Sequence, residues 1–237
     1  MNKIESVTTV NYKNSTYIAV TDFIKDGMKV GLGNHFKIRK TIQDIRKRVI
    51  KGEHITIIPA SNAVAELAQL YNIPVLPPAN NLQVDISING ADEIDLTGSG
   101  IIGRQGTFLK EKFIAKRSDL NIWIANESKM TDTLGKVSVP IEISRKSYAF
   151  LLDRFREQNI HAALRMIVKN IPFTTENGNY IIDVPLNHRI YDPFALDAAL
   201  KSMTGVIETG LFVNLVDKVL LETSYHELQI ICFERGL

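Results

Sequence analysis

Between Met28 and Asn126 the chain repeats one arrangement: a short apolar run, a loop of glycine or small polar residues, then apolar residues at helical spacing. Met28–Leu32 leads into Gly31-Leu32-Gly33 and a helix with Ile38, Ile42, Ile45 and Val49 along one side. Ile55–Ile58 leads into Pro59-Ala60-Ser61-Asn62 and a short helix carrying Val64, Leu67 and Ala68. Ile73–Leu76 reads as a further strand. Val84, Ile86 and Ile88, an apolar period of two, end on Asn89-Gly90-Ala91-Asp92-Glu93. A second loop, Gly103-Arg104-Gln105-Gly106, enters a helix with Lys110, Glu111 and Lys112, and Ile122-Trp123-Ile124 follows as a strand covered on both faces. A helix between successive strands returns the chain to the same end of the sheet, which makes the strands parallel. The repeat therefore predicts an α/β fold: a Rossmann-like, mostly parallel sheet with helices on both faces. An earlier helix over residues 14–25, with Tyr17, Val20 and Ile24 on one face, stops at Asp26-Gly27.

The rhythm changes near Val139. Val139–Ile143 reads as a strand, and Tyr148, Leu151, Leu152 and Phe155 mark a helix face. Residues 162–170 and 179–185 read as strands around Glu176-Asn177-Gly178-Asn179, whose Asn-Gly pair favours a hairpin. Asp192-Pro193 is a helix start, with Leu196, Ala199, Leu200 and Met203 behind it, and Val206–Val213 reads as a strand. This β-α-β-β-α-β order predicts a smaller, ferredoxin-like α+β domain over 138–211, inserted in a main domain of 1–137 and 212–237.

Composition narrows the function classes. The 237 residues are 45% hydrophobic with a formal charge of +2, so no global field argues for nucleic acid or membrane. The one cysteine, Cys232, lies in an apolar run and suits a reducing compartment. No signal-like leader or membrane-length apolar run is present, and a cytoplasmic location is expected. The first α/β helix is basic (Lys37, Arg39, Lys40, Arg46, Lys47, Arg48), but it lacks aromatic interleaving or a recognition motif, and a solvated face is the simpler reading. The histidines are scattered, with no metal-ligand spacing.

Carboxylates at a strand's carboxyl end, beside glycine loops that open helices, mark where open α/β sheets bind ligands. Taken alone, Glu111 could equally be a surface glutamate flanked by lysines, and Lys13 and Lys129 solvated charges.

Asn89-Gly90-Ala91-Asp92-Glu93-Ile94-Asp95, the Gly103–Gly106 loop and Leu109-Lys110-Glu111-Lys112 together resemble the signature of type A ribose-5-phosphate isomerases. Val30–Gly33, Glu127-Ser128-Lys129, Leu134-Gly135-Lys136, Asp192-Pro193, Gly205-Val206 and Gly210–Phe212 agree in order and spacing. The resemblance implies an aldose–ketose isomerase acting on a sugar phosphate through an enediolate, without metal or organic cofactor, as a homodimer or homotetramer. It implies Glu111 as the base and Asp92 as the second carboxylate, with Asn89 and Arg104 beside them. Lys13, Gly31, Gly33, Asn34, His35, Lys37, Gly103, Gln105, Gly106 and Lys129 would form the substrate-binding surface.

Three departures fall in these positions. Asn89 stands where the family has aspartate, and Ile102 where it has a catalytic lysine, leaving Arg104 two residues on as a replacement cation. The family's Gly-x-Gly-Thr-Gly-Ser-Thr phosphate loop reads Gly31-Leu32-Gly33-Asn34-His35-Phe36-Lys37, without hydroxyls. If each lost charge costs about two orders of magnitude, turnover is expected to be lower by on the order of 10⁴. A catalytically inactive sugar-phosphate sensor or scaffold of the same fold is the alternative. Anion binding through Lys37 and His35 would weaken with salt and, if His35 contributes, with rising pH.

Overall fold

The computed structural model describes residues 3–10, 14–79, 81–186, 190–225 and 227–234. Its central sheet has seven strands in the order β1-β17-β16-β7-β4-β2-β3. These are β1 (Ile4–Val10), β2 (Lys29–Leu32), β3 (Thr56–Pro59), β4 (Val84–Gly90), β7 (Ser118–Asn126), β16 (Lys218–Glu222) and β17 (Leu228–Phe233). β16, β7, β4, β2 and β3 run parallel, while β17 and β1 add antiparallel pairings at one edge.

Alternation along the strands feeds two cores. Ile86, Ile88, Ile122 and Ile124 pack with Ile38, Ile42 and Ile45 of helix α2 (Phe36–Val49) and Val64 of helix α3 (Asn62–Leu70). Trp123, Ala125, Val219 and Leu221 pack on the other side with Phe108 and Ala115 of helix α4 (Phe108–Ala115). Helices thus cover both faces, as the repeat predicts. Among the described residues no helix is long and apolar enough to cross a membrane.

Residues 139–209 build a four-stranded sheet, β10-β13-β9-β14: β9 (Val139–Ile143), β10 (Ala163–Leu164), β13 (Tyr180–Val184) and β14 (Val206–Thr209). Helices α5 (Tyr148–Glu157) and α6 (Pro193–Lys201) pack on it through Leu151, Phe155 and Leu200, giving the ferredoxin-like order its own apolar core. A ribbon of β11 (Met166–Val168) and β12 (Ile171–Pro172) projects from it. A third sheet, β15-β6-β5-β8, joins β5 (Glu93–Asp95), β6 (Gly100–Ile101), β8 (Met130–Thr131) and β15 (Leu211–Phe212) beneath the loop that carries Ile102 and Gly103.

Five details differ from the sequence reading. β1 is a strand that its exposed pattern conceals, since nearly every residue faces solvent. Ile73–Leu76 makes only a bridge from Val75 to Ile57, because Pro74 and Pro77-Pro78 remove the donors a full strand needs. Residues 162–170 divide into β10 and β11 rather than one strand. Val206–Val213 divides at Gly210, where the chain leaves β14 for β15; a Cβ there would lie 2.4 Å from both the Ile102 carbonyl oxygen and Pro140 Cγ. The helix over 14–25 is a short α-turn, Ser15–Ile18 (α1), continued as a π-helix to Phe23.

Candidate active site

The parallel strands β2, β4 and β7 end together, and the residues that follow them meet there. From β2 come Gly33, Asn34 and His35; from β4 come Asn89, Gly90 and Asp92; from β7 comes Lys129. The Gly103–Gly106 loop then sets the start of α4. Gly106 has φ +74 and donates its N–H to the Gly103 carbonyl at 3.0 Å, closing a turn, and a Cβ on it would lie 2.5 Å from the Phe173 ring. Only glycine meets both demands.

One turn into α4, Glu111 points back under the sheet end and is 3% exposed. Its Oε1 accepts the backbone N–H of Asn34 at 2.7 Å. Gly33 makes room for this arrangement: a Cβ there would sit 2.2 Å from Asn89 Oδ1 and 2.9 Å from Glu111 Oε1. Burial raises the Glu111 pKa to about 7; the Asn34 N–H opposes the shift and the Asp92 charge adds to it. One polar atom nearby, Asn89 Oδ1, is buried with no hydrogen-bond partner among the described residues, while the Thr107 hydroxyl reaches Glu111. An orphan of this kind in a native interior calls for a ligand or a chemical role.

Asp92 faces the same space. Its Oδ2 accepts the N–H groups of Gly103 and Arg104, each at 3.0 Å. Arg165 holds that peptide from the other side: Nη1 donates to the Gly103 carbonyl at 2.7 Å and to the Arg104 carbonyl at 3.3 Å, while the guanidinium pairs with Asp183. Asp92, Glu111, Lys129, His35, Asn34 and Ile102 line one cavity of about 130 Å³, together with Phe36, Gly90, Gly103, Arg104 and Gln105. Ile102 is 4% exposed and presents only hydrocarbon, its N–H held by the Gly210 carbonyl at 2.8 Å. The Arg104 side chain is 75% exposed, with Nε 3.9 Å from Asp92 Oδ1.

The anion-binding residues expected of the first loop separate. Lys37 turns away and pairs with Glu222 Oε2 and Asn126 Oδ1, both at 2.6 Å. His35 caps α2 through its side chain, which accepts the Lys37 N–H, and its ring rests where Gly90 leaves space. Burial lowers the His35 pKa, and the Lys37 charge adds to this, so the ring is neutral near pH 7. Gly31 lies inside β2, where a Cβ would meet Ile114 Cγ2 at 2.3 Å; its place in the fold is close strand–helix packing. Lys13 lies outside the described residues.

Sequence reasoning passed over three charged groups that shape the site. Glu93, adjacent to Asp92, points away and accepts the N–H groups of Gly135, Lys136 and Val137 at 3.1–3.2 Å. Lys112, beside Glu111, is 2% exposed and binds Glu208 Oε1 at 2.8 Å and the Thr209 carbonyl at 2.7 Å. Arg165 is the third, and nothing local in its sequence marks it.

Four of the basic residues of α2 are paired within the fold, on three carboxylates. Lys40 and Lys47 pair with Asp44, Arg48 with Glu53, and Lys37 with Glu222. This supports the solvated-face reading over a nucleic-acid patch.

Residues 56–225 match the family described as Ribose 5-phosphate isomerase A (phosphoriboisomerase A). A curated relative, "Ribose-5-phosphate isomerase A" of Listeria monocytogenes, is 33% identical over 222 residues, covering 94% of this chain and 99% of the relative. The solved structure of ribose 5-phosphate isomerase A from Methanocaldococcus jannaschii superposes with a TM-score of 0.83 at 29% identity, covering 94% of this chain and 97% of that one. A D-ribose-5-phosphate isomerase solved in complex with phospho-erythronic acid superposes with a TM-score of 0.85, also at 29% identity and with the same coverage.

Proposed function

The chain belongs to the ribose 5-phosphate isomerase A family, and on that premise we propose that it interconverts ribose 5-phosphate and ribulose 5-phosphate at the cavity between Glu111, Asp92 and Lys129. The observation that carries this reading is the buried Glu111 carboxylate, whose pKa of about 7 suits a base that must take a proton and give it back near neutral pH. Asp92, with Oδ2 committed to two backbone N–H groups, keeps Oδ1 for the sugar hydroxyls and ring opening. Lys129 supplies positive charge to the same cavity.

The steps follow from these placements. Glu111 removes the C2 proton of the open aldose, the C–H electron pair becomes the C1–C2 double bond, and the carbonyl pair settles on O1. A proton passes from O2 to O1, and Glu111 returns its proton to C1, leaving the carbonyl at C2. The enediolate oxygens need positive or hydrogen-bonding neighbours throughout. A protein that only bound sugar phosphate would have no use for a base held out of water at the expense of stability, and this favours the enzyme over a sensor or scaffold.

Division of the chain into 1–137 with 212–237 and 138–211 is supported by the separate apolar core of the smaller sheet. A homodimer or homotetramer accords with Met166, Ile167, Val168 and Ile171, all more than 40% exposed on the projecting ribbon. A cytoplasmic setting accords with the single, unpaired Cys232. The test is a ribose 5-phosphate isomerase assay with phospho-erythronic acid as competitor. Turnover that the competitor suppresses supports the reading; binding without turnover would leave a sensor or scaffold.

A further inference from the structure

The loss of a lysine at Ile102 leaves the cavity short of a group to polarise the substrate carbonyl. We propose that His35 fills that role, as a neutral imidazole donating a hydrogen bond from Nε2–H to the carbonyl oxygen while Glu111 takes the adjacent C–H proton. This rests on the isomerase reading above.

Three features of the structure support it. First, His35 lines the same cavity as Glu111, Asp92, Lys129 and Ile102. Second, its tautomer is set by its neighbours. Nδ1 accepts the Lys37 N–H at 3.4 Å as the cap of α2, which favours the tautomer with the ring proton on Nε2 and makes that nitrogen a donor. Third, the ring is seated: Gly90 lies against its Cγ edge, where a Cβ would come within 2.2 Å of Cγ, and the Phe36 ring lies beside it, tilted by 46° with centroids 4.3 Å apart. A fixed donor in a partly desolvated cavity stabilises a developing oxyanion without reorganising.

The charged groups that face His35 are Lys37, Lys129, Arg104 and Asp92. Burial, with the Lys37 charge behind it, holds the His35 pKa below the ordinary histidine value against the opposing Asp92 charge, and a neutral imidazole there is a suitable electrophile for enolising a sugar phosphate. Of the two cations at the cavity, Lys129 serves the negative charge of the substrate in the reading above, and the Arg104 side chain is 75% exposed, so its hydrated guanidinium has less effect on a buried oxyanion. The assignment also explains why a bulky histidine is accommodated where the loop otherwise calls for small residues.

The experiment compares kcat and KM for ribose 5-phosphate in the wild type, His35→Asn, Ile102→Lys and the double variant His35→Asn/Ile102→Lys. Asparagine caps helices well, so the fold is retained, but its side chain is too short to reach the carbonyl. The expected result is a kcat about 10²-fold lower in His35→Asn with KM changed less than about threefold, and recovery of at least tenfold in the double variant, where an ammonium replaces the lost donor. A circular-dichroism melt of each variant shows whether it is folded, and His35→Gln provides a second removal should His35→Asn fail to fold. An active wild type whose kcat is unaffected by either His35 substitution overturns this inference and leaves the isomerase reading standing. An inactive wild type overturns the isomerase reading itself.

Discussion

Glu111 Oε1 and the backbone nitrogen of Asn34 are 2.7 Å apart, joining the helix that carries the base to the turn that opens α2. That single N–H is the main compensation for a carboxylate that is otherwise desolvated. In the folded chain Glu111 holds its proton up to about pH 7, against a reference of 4.5. Stability from that proton is fully present below pH 4.5 and is lost as pH rises through 7.

The Glu111→Gln substitution removes this dependence. The amide can still accept from Asn34, so thermal unfolding should show the variant more stable than wild type by about 2–3 kcal/mol at pH 8 and little different at pH 4. Isomerase activity should fall by roughly 10³-fold. Equal destabilisation at both pH values would mean that the carboxylate is not buried as described.

Arg165 acts on Asp92 through the peptide between them. Its Nη1 holds the carbonyls of Gly103 and Arg104, while the N–H groups of the same residues hold Asp92 Oδ2. Arg165→Ala should lower kcat for ribose 5-phosphate by about tenfold, in keeping with the loss of one charge-assisted contact at about 1.5 kcal/mol. Millimolar guanidinium should restore part of the rate. Steady-state kinetics with and without guanidinium checks this.

Lys112 lies in a buried cluster with Glu208, Asp197 and Lys201 that fastens α4 to β14 and α6. Burial pushes its pKa down to about 8. Lys112→Met leaves Glu208 and Asp197 with only Lys201, and should destabilise the fold by about 3 kcal/mol in denaturant titrations. Adding Glu208→Gln should recover most of that loss, since a buried carboxylate is then no longer under-compensated.

Lys37 and Lys129 should behave differently toward an anionic ligand. Lys37 is occupied by Glu222 and Asn126, whereas Lys129 lines the cavity. Lys129→Ala should weaken phospho-erythronic acid binding about tenfold and flatten its salt dependence. Lys37→Met should leave affinity within about threefold, and isothermal titration at two ionic strengths separates the two.

The fold was legible because its signals are local and periodic. Strand, glycine loop and helix followed each other from Met28 to Asn126, and Asn177-Gly178 and Asp192-Pro193 punctuated the smaller sheet. β1 escaped because an edge strand exposed along its length has no apolar alternation to read. Within the site, Asp92 and the glycine loops marked the sheet end, while Glu111, Asn34 and Lys129 were grouped with them through the family resemblance, and all four line one cavity. The roles of Lys37 and His35 could not be read from position, because side-chain direction decides them. Lys37 has a carboxylate partner 185 residues away, and His35 spends one ring nitrogen on a helix cap. Arg165 and Lys112 were illegible for the same reason: their partners come from other elements of the fold.

The most direct test of the account follows the proton. Ribose 5-phosphate incubated in D₂O with the wild type and with Glu111→Gln, watched by NMR from about pH 6 to pH 9, reports both the base and its ionisation. The wild type should form ribulose 5-phosphate carrying solvent deuterium at C1, at a kcat/KM that rises through an ionisation near 7, and Glu111→Gln should form it roughly 10³-fold more slowly. Wild-type turnover that keeps its rate and its deuterium content in Glu111→Gln would contradict the assignment of Glu111 as the base.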